Sequence, residues 1–215
     1  KPAIVHFHFY PIYTIVNYLR FFTNIKIVYT DHMGNKETNT ILKKIARRSY
    51  YYINSKLFGC GINNIVCVSN FVKSKYTREY GINSKKLKVI YNGINTNRFR
   101  KFDDVNRIKE KYNILDEFVI TCVGLRKDKG AYCLVKAAPQ ILQETSKVKF
   151  FLVGEGECRS SLEEIINKMD MKKHFVFTGN TDFIEEIYNI SSCVVIPSLV
   201  EEAFCFVAAE AMSTE

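Results

Sequence analysis

The sequence predicts an α/β protein built from two successive parallel-sheet units. Three observations lead there. Short apolar runs of strand length alternate with segments of helical period along nearly the whole chain. The alternation breaks once, at a polar connection near Thr96 to Asp104, and then restarts. The chain has 215 residues and 47% apolar content, enough for two modest cores.

In the first unit the pattern predicts a strand at Ile4 to His8, a helix near Ile12 to Phe22 and a strand at Ile25 to Thr30. A long helix over Thr38 to Phe58, a strand at Asn64 to Val68, a helix at Phe71 to Tyr80 and a strand at Leu87 to Tyr91 follow. After the polar connection come a helix at Val105 to Tyr112, a strand at Val119 to Val123 and a helix at Ala131 to Gln143. The next strand-helix pairs are Val148 to Val153 with Arg159 to Met169, and Phe175 to Phe177 with Phe183 to Tyr188. Such βα alternation places all strands of a unit in one parallel sheet. No low-complexity segment or short repeat interrupts it.

The last unit, Cys193 to Met212, carries the most chemistry. Cys193 to Ile196 reads as a buried strand, Pro197-Ser198 ends it, and Phe204 to Met212 has the composition of a buried helix. In open parallel sheets such a turn lies in the crevice at the carboxyl ends of the strands, where a helix start offers N–H groups to an anion. Glu202 and Glu210 flank seven uncharged residues. Each could accept two hydrogen bonds from a vicinal diol. The same pair could be solvated helix carboxylates, or acid and base of glycoside hydrolysis if they faced each other across a scissile bond; linear spacing does not decide.

Composition narrows the classes. No apolar run approaches about 18 residues and no charged n-region with an apolar h-region is visible, so neither a spanning helix nor a signal peptide is expected. The seven cysteines form no C-x-x-C pair and most lie in apolar segments, which suits free thiols in a reducing, cytoplasmic compartment. Basic residues exceed acidic ones by 31 to 22, a net charge of +9 that suits nucleic acid, an anionic membrane surface or phosphorylated ligands. Lys43, Lys44, Arg47 and Arg48 recur opposite Ile41, Leu42, Ile45 and Ala46, giving helix 38–58 one cationic face, either solvated or docked on anionic lipid. No nucleic-acid reader module accompanies the charge. His6 and His8 share one face of their strand, but without a third ligand no metal site is expected.

Several motifs recur in an order that can be compared with a family. They are Val66-Cys-Val-Ser-Asn-Phe-Val-Lys-Ser-Lys-Tyr76, Lys88-Val-Ile-Tyr-Asn-Gly-Ile-Asn95 with Phe99, Val123-Gly124 with Lys129-Gly130, and Leu152-Val-Gly-Glu-Gly156. Phe177-Thr-Gly179, Ile196-Pro-Ser198 and the Glu202/Glu210 spacing complete the set. In this order the chain resembles the GT-B glycosyltransferases of family 4 over nearly its whole length. The resemblance implies two Rossmann-like domains facing a cleft: residues 1–96 as the later part of an acceptor-side domain and 97–215 as the first part of a donor-side domain. Both would be incomplete, with further elements expected before Lys1 and after Glu215.

The resemblance also implies a retaining transfer of a glycosyl group from a nucleoside diphosphate sugar to an acceptor hydroxyl, with no obligatory metal or other cofactor. The acceptor class it implies is a glycan or a lipid-linked glycan, with peripheral membrane association through helix 38–58 and no nucleic acid. Matched residue by residue, Glu202 would contact the donor sugar, Glu210 the ribose, and Arg126 and Lys129 the leaving diphosphate. Gly124, Gly154 and Gly156 would line the nucleotide side, Phe204, Cys205 and Phe206 would join donor binding, and His32 would lie near acceptor and reacting sugar. The chain departs from the family twice. Its arginine is one place later, in Gly124-Leu125-Arg126, and Ala203 and Cys205 replace the glycines that usually flank the phenylalanine. The second departure admits a non-catalytic sugar-nucleotide-binding relative; a GT-B sugar-nucleotide epimerase is the other alternative. An NAD site is disfavoured because the third position of the Gly154-Glu-Gly156 fingerprint is Arg159.

Overall fold

The computed structural model describes residues 3–9, 22–32, 41–42, 45–46, 49–50, 52–53 and 62–215. Its contacts divide the chain into one unit of Lys1–Gly93 with Val200–Phe204 and another of Ile94–Leu199 with Cys205–Glu215.

The first unit holds strands β1 (Ile4–His8), β2 (Lys26–Asp31), β3 (Asn64–Cys67) and β4 (Leu87–Val89), paired in that order and all parallel. β1 is an edge strand, and none of its residues is fully buried. Helix α1 (Asn70–Tyr80) starts at Ser69, whose hydroxyl accepts from Val72 N at 3.2 Å, a cap worth about 1 kcal/mol. α1 covers the sheet with Val72 and Tyr76, which join Ile27, Tyr29, Ile65, Cys67 and Leu87 in one buried cluster. Ala203 belongs to that cluster, with Phe204 packed against it. Lys75 of α1 donates to Glu201 at 2.9 Å, so the segment Val200–Phe204 is held by both a core contact and an ion pair.

The second unit holds β5 (Phe118–Val123), β6 (Val148–Val153), β7 (Phe175–Gly179) and β8 (Cys193–Val195) in the parallel order β7-β6-β5-β8. Its helices are α2 (Asn106–Lys111), α3 (Ala131–Glu144), α4 (Arg159–Lys168), α5 (Ile184–Ile190) and α6 (Phe206–Met212). β6 explains the layering: its apolar run Val-Lys-Phe-Phe-Leu-Val sends alternate side chains to opposite faces. Phe150 and Leu152 enter a core with Leu134, Val135, Leu162 and Ile166 of α3 and α4. Phe151 and Val153 enter a second core with Ile108 of α2 and Ile187 and Ile190 of α5. Each fully buried phenylalanine contributes roughly 1.5–3 kcal/mol of transfer free energy.

The βα alternation expected from the sequence is found wherever it falls on described residues. The helix near Ile12 to Phe22 lies almost wholly outside them. In the segment 38–58 the described positions are helical and Ile41, Leu42 and Ile45 are exposed, while Lys43, Lys44, Arg47 and Arg48 lie outside the described residues. The clearest difference is α6. It begins at Phe206 rather than Phe204 and none of its residues is fully buried, because Ala203 and Phe204 leave the helical path for the first unit's core. Among the described residues no helix is long and apolar enough to cross a membrane.

Candidate active site

In the second unit β6 and β7 lie on one side of β5 and β8 on the other, so the topological switch point falls between β5 and β8. The loops that leave the sheet there are in direct contact. After β5 the chain runs Gly124-Leu-Arg126 into a short 3-10 turn, Lys127–Lys129, and Gly130 starts α3. A Cβ on Gly130 would lie 2.0 Å from the Pro197 carbonyl oxygen, so only glycine allows the loop after β8 to approach this closely. Leu199 N donates to Asp128 O at 2.9 Å and closes the contact.

The loop after β6 braces the same turn from the other side. Gly124 N donates to Val153 O at 2.8 Å, and Gly154 lies against Gly124. A Cβ on Gly156 would meet the Leu125 carbonyl at 2.4 Å. Cys158 N donates to Leu125 O at 3.1 Å and Lys127 N to Glu157 Oε1 at 2.8 Å. That backbone hydrogen bond holds the Glu157 carboxyl below the usual range. Gly124, Gly154, Gly156, Arg126 and Lys129 are thus gathered at the carboxyl ends of β5 and β6. The Lys129 stem runs over Gly124, its Cγ 3.1 Å from where a Cβ would sit. Arg126 is exposed and forms a two-bond pair with Asp128, at 3.0 and 2.8 Å, which holds the Asp128 carboxyl low.

Beyond β8, Cys205 caps α6 with φ −92° and Phe206 and Glu210 lie on the helix. Glu210 is half-buried and accepts from the Tyr188 hydroxyl at 3.1 Å. Burial pushes its carboxyl up; the Tyr188 hydrogen bond and the Arg98 charge oppose that, and Glu185 adds to it. Tyr188 itself is buried, and its hydroxyl is pushed up by that burial and by Glu210. Arg98 donates to Glu185 at 2.9 and 2.8 Å and to the Asp182 carbonyl at 2.5 Å. Phe102 N, Asn189 and the Arg100 carbonyl continue this strap, so the polar connection seen in the sequence is fastened to α5. Sequence reading missed Tyr188 and Arg98. The signal was a tyrosine beside Ile184 and Ile187 on an apolar helix face, since a buried phenol needs a hydrogen-bond partner. A cavity of about 480 Å³ bounded in part by Phe102, Tyr188, Cys193 and Ala211 includes none of the residues assigned from the sequence.

Glu202, Phe204 and His32 belong to the first unit. Glu202 and Phe204 are half-buried. His32 follows β2; its Nε2 is 2.9 Å from His8 Nδ1 and its ring stacks on Phe9 at 4.8 Å between centroids. His6 Nε2 is 2.6 Å from Thr30 Oγ1. Burial, then the neighbouring His8, lowers both His32 and His6, keeping them neutral imidazoles at neutral pH. Beside His32, buried Asp31 accepts from the Tyr76 hydroxyl at 2.9 Å. Among the described residues no group of three or more His, Cys, Asp or Glu side chains is arranged to hold a metal ion. Neither Ala203 nor Cys205 has a positive φ, so the backbone at these two positions does not require glycine.

Two family models cover the chain: Glycosyltransferase Family 4 over residues 1–98 and Glycosyl transferases group 1 over residues 104–215, just over half its length. An uncharacterised glycosyltransferase of Methanocaldococcus jannaschii is 36% identical over 160 residues, 69% of this chain and 40% of that protein. The Escherichia coli UDP-Gal:alpha-D-GlcNAc-diphosphoundecaprenol alpha-1,3-galactosyltransferase is 30% identical over 143 residues, 64% of this chain and 37% of that protein. The chain therefore spans about two fifths of the length of these relatives. Among solved structures, Anabaena HepE in complex with UDP superposes with a TM-score of 0.77 at 19% identity, covering 93% of this chain and 54% of that one. The two parallel α/β sheets are those of the GT-B fold, and the chain belongs to the group 1 glycosyl transferases.

Proposed function

We propose that the protein moves a glycosyl group from a nucleoside diphosphate sugar to an acceptor hydroxyl with retention of anomeric configuration, residues 97–215 forming the donor side and 1–96 the acceptor side. The observation that carries this reading is the meeting of the loops after β5, β6 and β8 at the switch point, with Arg126 and Lys129 in the turn. A leaving diphosphate gains one negative charge as the bond to the anomeric carbon breaks, on top of the charges it already carries; fixed donors must meet it, and loss of one such donor raises a barrier by roughly 3 kcal/mol. Lys129 supplies one cation over Gly124; Arg126 supplies a second by exchanging Asp128 for the phosphate. Gly124 and Gly154 line the nucleotide side. Gly156 serves it by bracing Leu125, and Phe206 and Cys205 flank the start of the helix that carries Glu210.

Glu210 accepts the two ribose hydroxyls and must be ionised to do so. Glu202 and Phe204 meet the donor sugar, and His32, kept neutral, lies toward the acceptor and the reacting sugar. No metal is required, because the turn provides the counter-charge. The Escherichia coli relative's name specifies a UDP-sugar donor and a diphosphoundecaprenol-linked acceptor. By analogy the acceptor here is a glycan or lipid-linked glycan, and the basic residues of the segment 38–58 bring the protein to the cytoplasmic face of an anionic membrane. The non-catalytic alternative drew on Ala203 and Cys205. Burial of Ala203 in the first unit's core and the ordinary φ of Cys205 support the catalytic reading.

The test is a thermal-shift scan with UDP, GDP, ADP and their sugars, repeated with Glu210→Ala. A nucleotide at about 100 times its dissociation constant adds roughly 2.7 kcal/mol of stability. A protein that no nucleotide shifts has no donor site. Binding without transfer to any glycan or lipid-linked acceptor would revive the non-catalytic alternative.

A further inference from the structure

Glu210 carries a demand that its surroundings only partly meet. A carboxylate that binds a diol needs both oxygens held in one plane and ionised, yet this one is half-buried on a short helix. Two groups oppose the burial. Arg98 acts through its charge, while its Nε and Nη2 donate to Glu185 and the Asp182 carbonyl. Tyr188 acts by direct contact, donating to Glu210 Oε2 at 3.1 Å. Tyr188 is itself fixed: it is 4% exposed, it lies on α5 between Ile187 and Ile190, which are in the core, and its ring meets Phe99 at 6.2 Å between centroids. Its hydroxyl has Glu210 as its acceptor.

We propose that Tyr188 is a positioning residue for donor binding: its buried hydroxyl fixes Oε2 of Glu210 so that Oε1 and the second lone pair of Oε2 are presented to the ribose diol. The proposal rests on the reading of Glu210 as the ribose acceptor. Tyr188 touches no ligand; it selects the carboxylate's rotamer and sustains its charge. Loss of the hydroxyl therefore weakens recognition of the ribose while leaving recognition of the diphosphate intact. The other charged and titratable groups acting on the pair are Arg98, Glu185 and Cys205.

The experiment compares the protein with its Tyr188→Phe and Glu210→Gln variants in titrations with UDP, GDP and ADP and with their 2′-deoxy forms. The readout is the ratio of ribo to deoxy affinity as a function of pH, with melting curves as a folding control. In Tyr188→Phe the ribo preference falls about tenfold, the weight of one hydrogen bond to a charged group, while the deoxy affinity stays constant. The pH below which the preference disappears also moves upward, because the hydrogen bond that lowers the Glu210 carboxyl is gone. An unchanged ratio in Tyr188→Phe, alongside a lost one in Glu210→Gln, overturns the proposal and leaves the ribose reading standing. An unchanged ratio in Glu210→Gln overturns the ribose reading itself. Equal weakening of ribo and deoxy forms with a lowered melting temperature makes Tyr188 a packing residue only.

Discussion

Gly130→Ala tests the contact on which the candidate site depends. Gly130 has φ +73°, where a side chain costs about 1–2 kcal/mol, and its Cβ would lie 2.0 Å from the Pro197 oxygen and 2.9 Å from the Pro197 carbon. An unstrained carbon-to-oxygen contact needs about 3.3 Å, so the carbonyl must retreat by more than about 1 Å. Overpacking of that size costs about 1–3 kcal/mol, and retreat also strains the Leu199 N to Asp128 O bond, worth about 1 kcal/mol. The expected loss is about 3–6 kcal/mol, a large share of a stability of about 5–15 kcal/mol. Gly124→Ala is the matched control. Its φ is also positive, +93°, but the Cβ would meet only the Lys129 Cγ at 3.1 Å, a flexible side chain that can turn away. Urea denaturation followed by circular dichroism should place Gly130→Ala at least about 1–2 kcal/mol below Gly124→Ala. Equal losses would mean that the loops after β5 and β8 do not meet as described, and the switch-point argument would fail with them.

Three further outcomes follow from the same geometry. If Lys129 meets the charge that grows on the diphosphate, as proposed, Lys129→Ala should lower turnover about a hundredfold with little change in melting temperature, measured by steady-state kinetics on the best donor. Phe150→Ala should destabilise the protein by about 3–5 kcal/mol in urea denaturation, since the side chain is fully buried among Leu152, Leu162 and Phe175. Brief iodoacetamide labelling at pH 8 followed by peptide mass spectrometry should modify Cys133 and Cys193, which are exposed, and spare Cys67 and Cys122, whose thiols burial pushes up to about 11.

Where the sequence could be read, the reason was that one short-range pattern matched one local environment. β6 is the clearest case, because a run of apolar residues at strand length implies burial on both faces and both faces are covered. Strand ends were less legible. The apolar run Leu87 to Tyr91 continues past Val89, yet β4 stops there because β3 ends at Cys67, its last partner; Ile90 and Tyr91 are exposed. The start of α6 was misread for a similar reason. Phe204 has helical neighbours in sequence, but its packing partner lies far away in the chain. Of the candidate site, the glycines, Arg126 and Lys129 were reached through the resemblance of their motifs to the family, not from turn chemistry alone. Tyr188 was not, since its hydroxyl's purpose depends on a carboxylate 22 residues later that the fold alone brings near.

The glycine pair after β6 bears on the proposed donor site, because its two members are used differently. In a dinucleotide fold the second glycine of the fingerprint leaves room for a pyrophosphate to approach the backbone. Here the room left by Gly156 is already taken by the Leu125 carbonyl and Arg126 N, 2.4 and 2.7 Å from a Cβ that is not there. The third fingerprint position is Arg159, which pairs with Glu155 and with Glu163 at 3.0 Å and lies over the Phe177 ring. A pyrophosphate bound at this turn would have to displace both carboxylates and push apart backbone segments that are in contact. The loop after β6 therefore acts as a brace, not a cradle. It fixes the turn after β5 that carries Arg126 and Lys129, and under the proposed function the nucleoside would be recognised on the α6 side of the switch point. Gly156→Ala should accordingly lower stability and weaken binding of UDP and of its 2′-deoxy form by the same factor. A loss of ribose preference in that variant would place the nucleoside at β6 and reverse the assignment.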